Sequence, residues 1–179
     1  MKRILVLCTS PRARGNSETL ADAFAAGAKE AGHKVKKISL RGRKIAFCTG
    51  CQSCHKLGHC VLEDDANAIV AEMAKSDVIV WATPIYYYAV SGQMKTMIDR
   101  ANSLYGTDNA MRETYLIASA ADDDPQAVDG AVKTLEGWVA CHEKVKLKGV
   151  LRGVGLDARG AAKNAPRLLE KARQMGLKA

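Results

Sequence analysis

Short apolar runs alternate with longer amphipathic stretches along the chain, without internal repeats or a low-complexity linker. The apolar runs predict five strands, over residues 3–8, 34–39, 78–82, 113–119 and 146–154. The amphipathic stretches predict five helices, over residues 17–31, 64–75, 91–103, 125–141 and 161–175. Runs such as RILVLC and VIVWA are typical of strands covered by helices on both faces. The pattern therefore predicts an α/β protein with a doubly wound parallel sheet.

Ligands of such sheets bind beyond the carboxyl ends of the strands, where the strand order reverses. Functional residues are therefore expected in the loops after the first, third and fourth predicted strands.

The length of 179 residues and the hydrophobic content of 47% predict a single domain over residues 1–179. No run of about 18 apolar residues is present, and the apolar stretch at the N-terminus is too short for a secretory signal. We therefore expect a cytoplasmic protein that does not bind a membrane.

The net charge of +8 does not by itself indicate a nucleic-acid partner. Basic residues are interspersed with acidic ones, as in RLLEKARQ, and no aromatic or arginine-rich recognition motif accompanies them. This distribution favours a solvated surface over a nucleic-acid partner.

The loop after the first predicted strand contains the groups that a phosphate needs. Hydroxyls, an amide, a guanidinium and free amides at a helix N-terminus would supply hydrogen-bond donors and positive potential together. The candidate ligands are Ser10, Arg12, Asn16, Ser17 and Thr19. The alternative is a simple N-capping turn made by Asn16 or Ser17, which would leave Arg12 and Gly15 without a role.

Three adjacent tyrosines follow the third predicted strand, in Thr83-Pro84-Ile85-Tyr86-Tyr87-Tyr88. An aromatic platform at the carboxyl end of a strand suits a flat ring system. Packing at a subunit interface is the alternative, and both interpretations hold together if the site lies between protomers.

The loop after the fourth predicted strand, which begins at Ser119 and Ala120, is expected to offer backbone groups to the edge of the ring. The three aspartates that follow, at positions 122–124, are predicted to cap the helix that begins at Pro125 rather than to bind a metal ion. Asp99 and Arg100, near the end of an earlier helix, are interpreted as a structural ion pair.

Four of the six cysteines lie in one short segment, CTGCQSCHKLGHC, as Cys48, Cys51, Cys54 and Cys60. CxxCxxC followed by a fourth cysteine lets four thiolates converge on a 4Fe-4S cluster. Zinc held by cysteines with His55 or His59 is a second interpretation, and free or oxidised thiols without a metal are a third. Cys8 and Cys141 lie outside this segment and are predicted to be packing residues.

These motifs resemble the NAD(P)H-dependent FMN reductase and iron-sulfur flavoprotein family of the flavodoxin-like superfamily. SPRARGNSETL is similar to that family's phosphate loop, TPIYYYAVSGQMKTMIDR to its isoalloxazine loop, and CTGCQSCHKLGHCVLEDD to its cysteine-rich segment. The resemblance implies a flavodoxin-like sheet of five parallel strands in the order 2-1-3-4-5, with helices on both faces. It also implies a homodimer or homotetramer with the cofactor near a subunit contact.

The resemblance further implies noncovalently bound FMN, whose ring carries the chemistry without a catalytic side chain. The expected cofactor contacts are Ser10, Arg12, Asn16, Ser17 and Thr19 at the phosphate, and Thr83, Pro84, Ile85, Tyr86, Tyr87, Ser119 and Ala120 beside the ring.

Two functions of different classes follow from the resemblance. In the first, an enzyme passes electrons from NAD(P)H through FMN to a quinone, a nitro compound, a metal ion or a free flavin. In the second, an electron carrier takes electrons from ferredoxin through a 4Fe-4S cluster on Cys48, Cys51, Cys54 and Cys60 to FMN.

Overall fold

A computed structural model describes all residues from 1 to 179 and places six strands in one sheet. The strands are β1 (Arg3–Cys8), β2 (Lys34–Ser39), β3 (Val78–Tyr86), β4 (Ala89–Val90), β5 (Glu113–Ser119) and β6 (Lys146–Gly153). The five long strands are parallel in the order β2-β1-β3-β5-β6, and the two-residue β4 pairs antiparallel with the end of β3. Without β4, this is the predicted order 2-1-3-4-5, so the predicted fold class is confirmed.

The helices alternate with the strands along the chain, and three of them adjoin short 3₁₀ turns. They are α1 (Asn16–Glu30), α2 (Cys54–Leu57), α3 (Asp65–Ala74), α4 (Gly92–Arg100), α5 (Asp129–Ala140) and α6 (Pro166–Leu177). The turns are Ala101–Leu104, Pro125–Val128 and Ala161–Asn164. The single-turn α2 and the short β4 are the two elements that the periodicity did not predict.

The sheet has a separate hydrophobic core on each face, because neighbouring residues of a strand point to opposite sides. Leu5 and Trp81 face the core formed with α3, α4 and α5, while Ile4 and Val80 face the core formed with α1 and α6. Burial on both faces explains the continuous apolar runs of the central strands. No helix is both long enough and apolar enough to span a membrane.

The third strand extends further than the sequence predicted. Instead of ending at Ala82, β3 continues to Tyr86, and a hairpin turn at Tyr87 and Tyr88 returns the chain to β4. Both turn residues have positive φ, 49° and 60°, as two-residue hairpin turns of type I′ require. The expected aromatic loop is therefore the tip of a β-hairpin.

Helices α1 and α6 pack closely because each has a glycine at the contact. A Cβ on Gly27 would collide with the Arg173 carbonyl oxygen, and one on Gly176 would collide with the Phe24 carbonyl oxygen. Backbone atoms cannot move aside as a flexible side chain does.

We therefore expect Gly176→Ala to lower the free energy of unfolding by about 1–3 kcal/mol, the usual cost of overpacking. Gly137→Ala on α5 is the matched control, because no atom lies within 4 Å of its Cβ position. The gain in helix propensity should stabilise that variant by up to about 1 kcal/mol. Equal urea midpoints for the two variants would contradict this account of the contact.

Candidate functional site

A cleft of about 160 Å³ lies beyond the carboxyl ends of the parallel strands, between four loops. Its walls are Ser10, Arg12, Gly15, Asn16, Ser17, Pro84, Ile85, Tyr86, Ser119, Ala121, Leu156, Asp157 and Arg159. The structure therefore brings together residues of all three loops predicted from the sequence, and it adds a fourth loop that follows β6.

The N-terminus of α1 opens into this cleft with its backbone amides free. The N-cap residue is Gly15, which has no side chain to cap the helix, and the first helical hydrogen bond of this turn is donated by the Thr19 amide to the Gly15 carbonyl. Ser17 is a buried residue, but its hydroxyl makes no hydrogen bond within the chain and is accessible from the cleft. Glycine is favoured here because a Cβ would lie 3.0 Å from Ser10 Oγ. This arrangement provides unused donors and the positive end of a helix dipole for an anion.

Asn16, also predicted at the phosphate, lines the cleft, but its side-chain amide is fully used. Nδ2 donates to the carbonyl oxygens of Leu156 at 2.9 Å and Ala158 at 3.0 Å, and Oδ1 accepts from the Ala162 amide at 3.1 Å. The side chain of Asn16 thus attaches the loop after β6 to the loop after β1.

Thr19 lies outside the cleft, because its hydroxyl points back along α1. Oγ1 donates to the Gly15 carbonyl at 3.1 Å, a bond within the helix itself.

The residues predicted beside the ring divide into two groups. Pro84, Ile85 and Tyr86 line the cleft, whereas Tyr87 projects into solvent and is 100% exposed. Thr83 is completely buried below the cleft.

Thr83 belongs to a buried hydroxyl network that joins β1, β3 and the start of α4. Its Oγ1 accepts from the Ser91 amide at 3.0 Å and lies 3.3 Å from Ser91 Oγ, which is 2.9 Å from Thr9 Oγ1. Ser91 also caps α4 by accepting from the Met94 amide. This network holds the base of the hairpin in place, so Thr83 supports the cleft from below.

The loop after β5 contributes Ser119 and Ala121 to the wall. Ala120, which was predicted to offer backbone groups, uses both of them elsewhere: its amide donates to the Gly153 carbonyl and its carbonyl accepts from the Leu156 amide, each at 2.8 Å. Ala120 therefore connects the loops after β5 and β6.

The aspartates after Ala121 have separate roles. Asp124 caps the 3₁₀ turn that begins at Pro125, accepting from the Gln126 amide, which confirms the predicted capping role for this residue. Asp122 instead accepts from the Tyr88 hydroxyl at 3.1 Å. Its hydrogen bond and negative charge raise the pKa of Tyr88 above the ordinary value of 10.0.

The loop after β6 was missed by the sequence analysis, which considered only three loops. It brings Leu156, Asp157 and Arg159 to the cleft, and Arg159 Nε donates to the Ala13 carbonyl at 3.0 Å. Two guanidinium groups, on Arg12 and Arg159, therefore line the cleft with one carboxylate, on Asp157. The available signal was the position of GLDARG directly after the last predicted strand.

The four clustered cysteines lie on a largely irregular segment away from this cleft. Cys48 and Cys51 are exposed, and Cys54 and Cys60 are partly buried. Hydrogen bonds from Ser53, with a further one from Thr49, lower the pKa of Cys51. No group of three or more histidine, cysteine or acidic side chains is placed to hold a metal ion. The donors match a four-thiolate cluster in number and chemistry, but their positions in this structure do not form its site.

A buried ion pair between Arg100 and Asp64 joins the two ends of the cysteine segment, which flank residues 48–60. The Arg100 guanidinium, with no exposed side-chain surface, contacts the Asp64 carboxylate at 2.6 and 2.9 Å and donates to the carbonyl oxygens of Ala46 and Leu62. Asp64 also accepts from the amides of Ala46 and Ala66. Although burial opposes ionisation, these hydrogen bonds hold the pKa of Asp64 below its ordinary value of 3.8.

The predicted pair between Asp99 and Arg100 is wrong. Asp99 pairs with Lys95, one helical turn earlier on the exposed face of α4, at 2.7 Å. Neighbouring residues on a helix point in different directions, so Arg100 faces the protein while Asp99 faces solvent.

The fold and cleft define an α/β protein with a donor-lined cleft at the carboxyl edge of its parallel sheet. The sequence profile of the NADPH-dependent FMN reductase family matches residues 2–143. This chain therefore belongs to the NADPH-dependent FMN reductase family.

Among curated proteins, the chain is similar to an iron-sulfur flavoprotein of Archaeoglobus fulgidus, with 34% identity over 77% of this chain and 64% of the relative. It is also similar to the iron-sulfur flavoprotein of Methanosarcina thermophila, with 26% identity over 78% of this chain and 74% of the relative. Several of these curated matches span only about half to two thirds of the relative's length.

Solved structures agree on the fold. The NAD(P)H:quinone oxidoreductase from Methanothermobacter marburgensis superposes with a TM-score of 0.72 at 15% identity, covering 99% of this chain and 96% of that chain. An azoreductase from Bacillus anthracis superposes with a TM-score of 0.72 at 18% identity, covering all of both chains.

We expect Arg100→Met to lower the free energy of unfolding by about 3–5 kcal/mol, because it leaves the Asp64 carboxylate buried without its cation. Lys95→Met on the same helix is the control; its pair with Asp99 is exposed, so its loss should cost less than about 1 kcal/mol. Urea unfolding of both variants measures the difference, and equal losses would contradict a structural role for Arg100.

The same pair predicts a pH dependence with a definite sign. The folded pKa of Asp64 is lowered, so its contribution is complete above its ordinary value of 3.8 and is lost as the pH falls through the folded value. The stability difference between wild type and Arg100→Met should therefore shrink in that acidic range.

Proposed function

We propose that this chain is an FMN-dependent oxidoreductase that takes electrons from NAD(P)H and passes them to a small acceptor such as a quinone, a nitro compound or a flavin. The observation that carries the proposal is the uncapped N-terminus of α1, which opens into a cleft between Arg12 and the start of the tyrosine hairpin. Membership of the NADPH-dependent FMN reductase family supports it.

The phosphate end of the cleft suits a ribityl phosphate. Ser17 would donate a hydroxyl hydrogen bond, and Ser10 would do so once its hydroxyl turns away from the Arg12 carbonyl, to which it donates at 3.3 Å. The first free amides of α1 would add more, and the Arg12 guanidinium would balance the negative charge. Arg159 joins this set from the opposite loop. Asn16 would contribute through its backbone amide, because its side chain is engaged.

The other end of the cleft suits the flavin ring. Pro84, Ile85 and Tyr86 would lie beside it on one wall, with Ser119 and Ala121 on the other. When bound, FMN would supply the redox chemistry by accepting a hydride and releasing its two electrons to the acceptor. The chain itself would orient the ring and shield part of it from water. The exposed side chains of Tyr87 and Tyr88 also support assembly into a homodimer or homotetramer.

A second candidate function is that of an iron-sulfur flavoprotein, which takes electrons from ferredoxin through a 4Fe-4S cluster to FMN. The CxxCxxC spacing with a fourth cysteine favours it, as do the names of the curated relatives. Cys48, Cys51, Cys54 and Cys60 would be the ligands, and the net charge of +8 would suit an acidic donor protein.

The role of Arg12 can be tested by comparing FMN with riboflavin, which lacks the phosphate. We expect Arg12→Ala to weaken FMN binding roughly tenfold, as loss of a charge-assisted hydrogen bond does, and to leave riboflavin binding unchanged. Flavin fluorescence titration measures both affinities. Arg41→Ala, an exposed arginine that does not line the cleft, is the control. Equal losses for both flavins would argue against phosphate recognition by Arg12.

The two candidate functions differ in iron content. After anaerobic purification, the iron-sulfur function predicts about four irons and four sulfides per chain, lost in Cys51→Ala and kept in Cys141→Ala. Cys141 is the matched control because it lies outside the segment and, contrary to its predicted packing role, is also exposed. Bound flavin without iron in the wild-type chain would rule out the cluster and leave the simple reductase.

A further inference from the structure

We propose that Asp122 is a positioning residue for the flavin ring, because its hydrogen bond to Tyr88 fixes the tyrosine hairpin against the loop after β5. The inference rests on the proposed FMN function. Asp122 itself does not line the cleft.

Asp122 joins three loops through three different atoms. Oδ2 accepts from the Tyr88 hydroxyl at 3.1 Å, Oδ1 accepts from the Asp124 amide at 2.9 Å, and the backbone carbonyl accepts from the Gly155 amide at 2.8 Å. The carboxylate thus holds its own loop in a tight turn while it contacts the hairpin. The carbonyl holds the loop after β6.

The hairpin needs an external contact because its turn is intrinsically unfavourable. Two-residue turns of this type prefer glycine or asparagine, yet Tyr87 and Tyr88 occupy both positive-φ positions. Tyr87 projects into solvent, and the Tyr88 hydroxyl makes the one side-chain hydrogen bond of the turn. The Tyr88 carbonyl oxygen packs against α5 at Gly130, and a Cβ on Gly130 would collide with this oxygen.

The bond bears directly on the shape of the cleft. Residues 84–86 immediately precede the turn and form one wall, and Ser119 and Ala121 immediately precede Asp122 and form the other. The contact between Tyr88 and Asp122 therefore connects the two walls between which the ring is proposed to bind. A flat ring binds best when both walls are already at the correct separation, since ordering a loop on binding reduces affinity.

The test compares the affinities of FMN and riboflavin in four variants, together with the visible spectrum of the bound flavin. Asp122→Ala and Tyr88→Phe should each weaken both flavins about five- to tenfold, in contrast to Arg12→Ala, because the ring is common to both ligands. The double variant should be no weaker than either single one, since both remove the same contact. Both single variants should also shift the flavin absorption bands.

Rescue and control variants separate positioning from general damage. Asp122→Asn keeps the bond from the Asp124 amide through its single oxygen, and its Nδ2 can donate to the Tyr88 hydroxyl oxygen, so its affinity should return close to wild type. Asp123→Ala removes a neighbouring carboxylate that makes no hydrogen bond to the hairpin, and it should leave affinity and spectrum unchanged.

Wild-type affinity and spectrum in both Asp122→Ala and Tyr88→Phe would overturn the role of Asp122 and leave the proposed function intact. Additive losses in the double variant would also overturn it, because the two residues would then act separately. A wild-type chain that binds neither flavin would overturn the proposed function, and the role of Asp122 with it.

Discussion

The cleft depends on the side-chain amide of Asn16 more than on any other single group. Its three hydrogen bonds to the backbone at Leu156, Ala158 and Ala162 connect the first loop of the sheet to the last. From Leu156 the connection continues to Ala120. A loop that carries backbone polar groups near the surface is held only when those groups have partners. Without this amide, the only hydrogen bond between the wall that carries Arg159 and the first loop would be the one from Arg159 to the Ala13 carbonyl.

The parts of the fold that follow from local pattern were predictable. Buried parallel strands are apolar throughout and helices are amphipathic, so the strands over residues 3–8, 34–39 and 113–119 were predicted at their observed bounds. The third strand was predicted too short because Pro84, which lacks a backbone N–H, is typical of loops. Its extension depends on the pairing of Thr83 and Pro84 with β5 and of Ile85 and Tyr86 with β4, contacts that strand propensity does not encode.

Only those features of the candidate site that depend on residues within a single loop could be predicted from the sequence. The loop before α1 combines donors, a glycine and a helix start within a few residues, so its chemistry is visible locally. The hydrogen bond of Asn16 to Ala158, the connection of Thr83 through Ser91 to Thr9, and the contact of Tyr88 with Asp122 join residues far apart in the sequence. Residue type alone showed that these side chains can bond, but only the fold determines that they bond to the protein itself.

The cleft and the cysteine segment are held by separate sets of hydrogen bonds. Helix α4 begins at the hydroxyl network beneath the tyrosine hairpin. It ends at Arg100, which joins the two ends of the cysteine segment. Nine helical residues span about 14 Å, so the two regions lie at opposite ends of this helix. The hydrogen bonds that shape the cleft involve none of Cys48, Cys51, Cys54 and Cys60. A chain whose thiols hold no cluster would therefore keep an intact cleft, so flavin uptake is expected under both proposed functions and iron content is the property that separates them.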